Sequence, residues 1–229
     1  MIPLKDLAPR HTVPFITILI ILANVLVFFY QLSLSPRAGQ ELATVYGEIP
    51  YRTELALRGQ VPLADGFVPF FTSMFLHGGW LHIIGNMWFL WIFGDNVEDQ
   101  IGHFPYLIFY LICGLGSGVA QTIFNWGSRI PAIGASGAIS GVLGAYLILF
   151  PRARVLTLIP IFILFYTVQL PAVIFIGLWF LLQFLSGLGA LQSGSSGGVA
   201  WWAHVGGFLL GIVLVKTVFP PRRVAAYYL

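Results

Sequence analysis

The sequence predicts an all-α membrane protein, one domain over residues 1–229 built as a six-transmembrane-helix bundle. Three observations carry that expectation. Hydrophobic residues make up 58% of the chain and charged residues 8%, against about 25% charged in a soluble domain. Mean hydropathy is +0.89. Several apolar runs reach or exceed the roughly 18 residues that mark a membrane span. So few charges cannot cover a water-soluble domain of this size, which excludes a soluble nucleotide-binding domain, a disordered chain and a disulfide-stapled scaffold. The single cysteine, Cys113, allows no intrachain disulfide. Lys and Arg number 11 and Asp and Glu 8, with no basic tract, so the lipid bilayer and not nucleic acid is the expected partner.

Span 1 is expected over 13–33. It is too long for a signal-peptide apolar core, and no small-residue cleavage site follows it. A polar stretch, 34–65, leads to the apolar segment 67–76, which Pro69 interrupts and which suits the membrane interface. The Gly78-Gly79 turn signal opens span 2, 80–94, and a turn over 95–103 leads to span 3, 105–124. After the loop 125–131 comes span 4, 132–150, closed by Pro151-Arg152-Ala153-Arg154. Residues 155–186 are almost wholly apolar and too few for two spans, so they read as an interfacial or re-entrant lead-in plus span 5, 171–186. A Gly/Ser-rich loop, 187–198, precedes span 6, 199–219, which Pro220-Pro221-Arg222-Arg223 stops.

Six spans put both termini on one side. That side then holds Lys5, Arg10, Arg152, Arg154, Lys216, Arg222 and Arg223, seven of the 11 cations, which places the termini in the cytoplasm. A bacterial or archaeal plasma (inner) membrane is the expected location of this multi-pass chain. No internal repeat is evident, against a transporter built from inverted halves.

Polar groups inside a membrane are costly, and each is a candidate for chemistry. None of residues 100–229 is Asp or Glu, which leaves no intramembrane carboxylate for proton coupling, for an aspartyl protease or for a triad drawn from spans 3 to 6. No His-Glu-x-x-His zinc motif occurs, and no metal or other cofactor is expected. Serine and histidine remain. Ser136 lies in Gly134-Ala135-Ser136-Gly137 at the start of span 4; a second Gly-x-Ser-Gly, at 194–197, is better explained as flexible linker. His82, Ser136 and His204 each fall in the first turn or two of spans 2, 4 and 6, all running inward from outside. At 1.5 Å per residue they share a depth roughly 7 Å below the outer helix ends.

Gly137, Gly141 and Gly144 form a small-residue stripe on span 4, and Gly207 and Gly211 continue the His204 stripe on span 6. If the stripes face each other, the backbones approach closely and Ser136 Oγ comes within hydrogen-bond reach of His204. Taken singly, such glycines only pack helices. His82 and Asn86, at i and i+4, offer N–H donors to an oxyanion beside the Ser136 amide; an interhelical hydrogen-bonded pair is the plainer alternative.

These features together resemble the rhomboid family of intramembrane serine proteases: His-x-x-x-Asn at His82 and Asn86, Gly-x-Ser-Gly at Ser136, and Ala-His-x-x-Gly at Ala203–Gly207, in that order on spans 2, 4 and 6. The resemblance implies a Ser136 nucleophile, a His204 general base, and an oxyanion hole of His82, Asn86 and the Ser136 N–H. It further implies single-span membrane proteins as substrates, a gate and cap made by the span 5 region and the loop 187–198, and a structural role for Glu98. Val68-Pro69 stands where many members carry a Trp-Arg pair, and Ser140 where some carry an aromatic residue that stacks on the histidine. The rival readings are a catalytically inactive rhomboid-like protein that binds transmembrane helices, and a small transporter or channel with histidines along a pore.

Overall fold

The computed structural model describes residues 1–162, 164–193 and 199–222. In chain order these form β1 (Ile2–Asp6), α1 (Phe15–Ser33), α2 (Pro36–Tyr46), α3 (Pro50–Leu57), α4 (Leu63–Thr72) with a 3-10 turn at Ser73–Phe75, α5 (Trp80–Ile101), α6 (His103–Phe124), α7 (Ser136–Leu149), β2 (Arg154–Ile161), β3 (Leu164–Pro171), α8 (Ala172–Ser193) and α9 (Trp201–Thr217). The second Gly-x-Ser-Gly, at 194–197, and Arg223 lie outside the described residues.

The helix α7 is the centre of the bundle. Every residue from Gly137 to Tyr146 is buried, as expected of a helix that is apolar on all sides and surrounded by others. It meets α9 backbone to backbone. A Cβ on Gly207 would overlap the carbonyl oxygen of Gly137, and one on Gly211 that of Gly141. In lipid, where apolar burial between helices gains little, such close approach of backbones supplies the packing. The helices α1 and α8 lie outside this centre, with 22% of their apolar windows buried; exposed Leu19, Leu22, Leu26, Leu181, Leu182 and Leu185 fit a lipid-facing surface.

The all-α expectation is corrected by a three-stranded antiparallel sheet in the order β1-β2-β3. The stretch 155–170, expected as an interfacial or re-entrant lead-in to span 5, forms β2 and β3. It is a hairpin, in register from Arg154↔Pro171 to Ile161↔Leu164, and β1 pairs with its first half, Ile2↔Leu158 to Asp6↔Val155. Pairing satisfies the backbone of an apolar run too short for two crossings. Asp6, at the end of β1, accepts hydrogen bonds from the Ala8 amide, Asn96 Nδ2 and Tyr146 OH, tying the strand to α5 and α7.

Other boundaries shift as well. The helix α5 does not stop at Gly94 but runs to Ile101, so most of the expected turn at 95–103 is helical. Residues 34–65 hold α2 and α3, and α4 carries Pro69 inside it. The helix α8 continues to Ser193, into the expected loop. Glu98, fully buried, accepts from the amides of Ile16 and Thr17 and from the Thr17 hydroxyl. The first turn of α1 has no side-chain cap of its own. A carboxylate from α5 therefore satisfies orphan N–H groups at a positive helix end.

Among the described residues, three helices are long and apolar enough to cross a membrane, Phe15–Ser33, His103–Phe124 and Ala172–Leu191; the pair Leu63–Phe75 and Trp80–Ile101, bent by 79°, makes a fourth if it is one span. The helices α7 and α9 are apolar but have 14 and 17 residues, short of the roughly 20 that a full crossing takes. Length and composition thus fall short of the expected six.

Candidate active site

The segment that delivers Ser136 to its position is pinned on both sides. Glu48 and Ala132 exchange backbone hydrogen bonds at 3.0 and 2.7 Å, and the Gly134 amide donates to the Ser73 carbonyl at 2.9 Å. Gly134 has φ +126°, a conformation that favours glycine. A Cβ there would also lie 2.6 Å from His82 Nε2 and 3.5 Å from Asn86 Nδ2. The missing side chain thus leaves an open position beside two nitrogen donors. Ser136 follows as the first residue of α7, where its amide has no acceptor within the helix.

The structure brings Ser136 and His204 together across α7 and α9, with Nε2 and Oγ 2.7 Å apart. His204 is buried and Ser136 half-buried. His82 Nδ1 accepts from the Gly78 amide at 3.3 Å, which leaves the ring proton on Nε2, the nitrogen facing Gly134. Asn86 donates through Nδ2 to His77 Nε2 at 3.0 Å. All four expected site residues therefore converge, and Ser136, His204, His82 and Asn86 line one cleft of about 240 Å³ with Trp179, Gln183 and Phe89. A hydroxyl poised on an imidazole, next to N–H donors, is the arrangement for acyl transfer through a tetrahedral oxyanion. A second cavity, about 230 Å³, opens above His82 and is lined by Gln121, Asn125, Ala200 and Trp201.

Residues 64–221, more than half of the chain, match the family model described as the Rhomboid domain. The chain belongs to the rhomboid family. Among the curated proteins this rhomboid is similar to, RHOMBOID-like protein 6, mitochondrial, of Arabidopsis thaliana is 38% identical over 76 residues, 33% of this chain and 24% of that protein. Rhomboid protein 1, mitochondrial, of Saccharomyces cerevisiae is 29% identical over 152 residues, 62% of this chain and 39% of that protein. Rhomboid protease GluP of Bacillus subtilis is 41% identical over 76 residues, 33% of this chain and 14% of that protein. The matches thus span well under half the length of these relatives. Family and apolar helices together make this rhomboid a multi-pass membrane protein.

Four residues around this site are not among those the sequence pattern singles out. His77 holds Asn86, as described. Gln183 Oε1 stands 2.7 Å from His204 Nδ1, and the Trp179 ring lies 6.1 Å from the His204 ring. Ser140, which replaces a stacking aromatic residue, turns instead to the Ser136 carbonyl at 2.6 Å. Gln183 was findable: it is the one amide in the span expected at 171–186, and an uncharged polar group in that setting is as notable as a histidine.

Glu48 is the fourth. It is 3% exposed, lines a small cavity with Ser136 and Gly134, and accepts from Thr122 Oγ1 at 2.7 Å. Burial pushes its carboxyl up to about 8, the Thr122 bond offsetting only part of that. The folded chain therefore keeps a proton that the unfolded chain releases near 4.5. The resulting stability is whole below that value and lost as pH rises through about 8. Between these limits the native protein should lose at most about 1.4 kcal/mol per pH unit relative to Glu48→Gln, which keeps the acceptor but does not ionise. Unfolding midpoints in detergent across this range should diverge in favour of the variant, then run parallel at higher pH. Parallel curves throughout would contradict a protonated Glu48.

Proposed function

We propose that this chain is an intramembrane serine endopeptidase that cuts single-span membrane proteins in or near their membrane span. The observation that carries the reading is the 2.7 Å contact between Ser136 Oγ and His204 Nε2. Ser136 Oγ attacks the scissile carbonyl carbon while its proton passes to His204 Nε2. The carbonyl oxygen becomes an oxyanion held by the Ser136 amide, His82 Nε2–H and Asn86 Nδ2–H; each such donor is worth about 2.7–4 kcal/mol in the transition state. Collapse breaks the C–N bond, and the leaving amine takes the proton from His204. A water then gives its proton to the same nitrogen and attacks the acyl carbon; the C–Oγ bond breaks, and Ser136 Oγ takes that proton back from His204. The polar cavity above His82 is the supply route for that water.

In this reading the chain crosses the membrane six times, α7 and α9 serving as short crossings inside the bundle. Their burial by longer neighbours supports this, because their ends need not reach lipid. The cation count supports cytoplasmic termini in a bacterial or archaeal plasma membrane. The helix α8 acts as the gate beside the dyad; most of the loop expected as the cap, 194–198, lies outside the described residues.

Purified protein should react with a fluorophosphonate at Ser136, and His204→Ala should abolish the labelling. An unlabelled, folded wild type would favour the inactive, helix-binding alternative.

A further inference from the structure

The imidazole of His204 is held at both edges. Nε2 faces Ser136, and Nδ1 faces Gln183 Oε1 on α8, each at 2.7 Å. An amide oxygen has no proton to give, so Nδ1 carries the ring hydrogen and Nε2 presents its lone pair. That tautomer is the one able to take the Ser136 proton. Without an acceptor at Nδ1 the neutral ring can place its hydrogen on Nε2, where it donates to Ser136 and cannot act as base. With no Asp or Glu in residues 100–229, helices α6 to α9 offer no carboxylate for this task.

We propose that Gln183 is a positioning residue of the catalytic group, an amide that sets the His204 tautomer where a Ser-His-Asp triad uses a carboxylate. The inference rests on the protease reading and deepens it. A second feature follows from where Gln183 sits. The helices α7 and α9 touch through glycine backbones, but α8 reaches α9 through side chains: Phe180 stacks on Phe208 at 4.5 Å, and Phe184 meets Trp202 at 6.1 Å. A Cβ added to Gly177 or Gly189 of α8 would meet nothing within 4 Å, and one on Gly187 would meet side-chain atoms of Trp201 and Trp202, not backbone. Trp179 and Gln183, at i and i+4, share the face of α8 that walls the cleft. The tautomer is thus fixed from a helix joined to the α7–α9 frame through side chains and not through backbone. A displacement of about 1 Å takes the Gln183 contact beyond hydrogen-bond range, so His204 is set as a base only while α8 is seated.

The test uses the full chain in vesicles with a single-span reporter substrate, reading kcat, KM and the dependence of kcat on pH. The other ionisable side chain lining the cleft is His82, with Glu48 beyond Ser136 in the neighbouring cavity; both are unchanged in every variant. Gln183→Leu keeps the bulk and removes the acceptor, and should lower kcat roughly ten- to a hundredfold at unchanged KM. Gln183→Glu restores an acceptor with charge. It should recover kcat and move the acid limb of the profile to higher pH, because a carboxylate favours the imidazolium. A residue that only braces α8 would change the unfolding midpoint and KM and leave the acid limb in place, which overturns the proposal. If the Leu variant fails to fold, the near-isosteric Glu variant decides by its acid limb. Fluorophosphonate labelling separates the two levels. Unlabelled wild-type Ser136 removes the protease reading and this inference with it. Labelled wild type, with an equal labelling rate in Gln183→Leu and an unmoved acid limb in Gln183→Glu, overturns the inference alone.

Discussion

Ser136→Ala, reconstituted with a single-span substrate, is expected to fall to the residual rate that the oxyanion donors and substrate binding alone sustain, and so are His204→Ala and the double variant. The loss in each is at least about 10,000-fold in kcat, since neither group does chemistry without the other. In the proposed mechanism the Oγ–Nε2 contact of 2.7 Å makes them one unit acting on one proton. Removing the hydroxyl leaves no atom to form the acyl-enzyme; removing the imidazole leaves a hydroxyl that does not ionise. Non-additivity is the decisive reading. Two residues that acted on the reaction independently would show losses that sum, and a double variant at least ten times slower than either single one, on the scale of about 1.4 kcal/mol, would reject the dyad. Retention of the wild-type unfolding midpoint is expected for Ser136→Ala, because α7 is held by its glycine contacts and not by this hydroxyl.

The legible parts of the sequence were those whose signal is local. Apolar runs located α1, α6, α7 and α9 to within a few residues, and the glycine stripes of α7 and α9 do face each other. Helix α5 was cut short because Asp95, Asn96, Glu98 and Asp99 read as a turn when taken alone. Their partners come from the N-terminal segment: Arg10 pairs with Asp95, Thr12 with Asp99, Asp6 with Asn96, and the start of α1 with Glu98. Sequence separations of more than 80 residues hide such satisfaction. The hairpin at 154–171 is hidden for a related reason, since an almost wholly apolar run has too little alternation to set a period of two against one of 3.6. At the site, Ser136 and His204 stood out because they interrupt apolar runs. Glu48 did not, because a carboxylate in a polar loop costs nothing until tertiary packing buries it. Gln183 was passed over because an amide neither attacks nor titrates; its value lies in the ring it faces.

Gly211→Ala should be the most damaging single methyl addition on α9. A Cβ at this position meets the carbonyl oxygen, carbonyl carbon and Cα of Gly141 at once, all backbone atoms of the central helix, so no side chain can swing aside. The two helices must separate, at a cost of about 1–3 kcal/mol or more. His204 rides on α9 two turns before Gly211, so the separation also lengthens its contact with Ser136 and activity falls together with stability. The same substitution on α8 provides the control. Gly177→Ala adds its methyl where nothing lies within 4 Å and replaces a poor helix former with a good one, so it should be neutral or stabilising by up to about 1 kcal/mol. Unfolding midpoints in detergent, measured beside turnover, distinguish the cases. Equal midpoints for the two variants would mean that α7 and α9 are not joined through their backbones, and the position of His204 over Ser136 would then lack its mechanical cause.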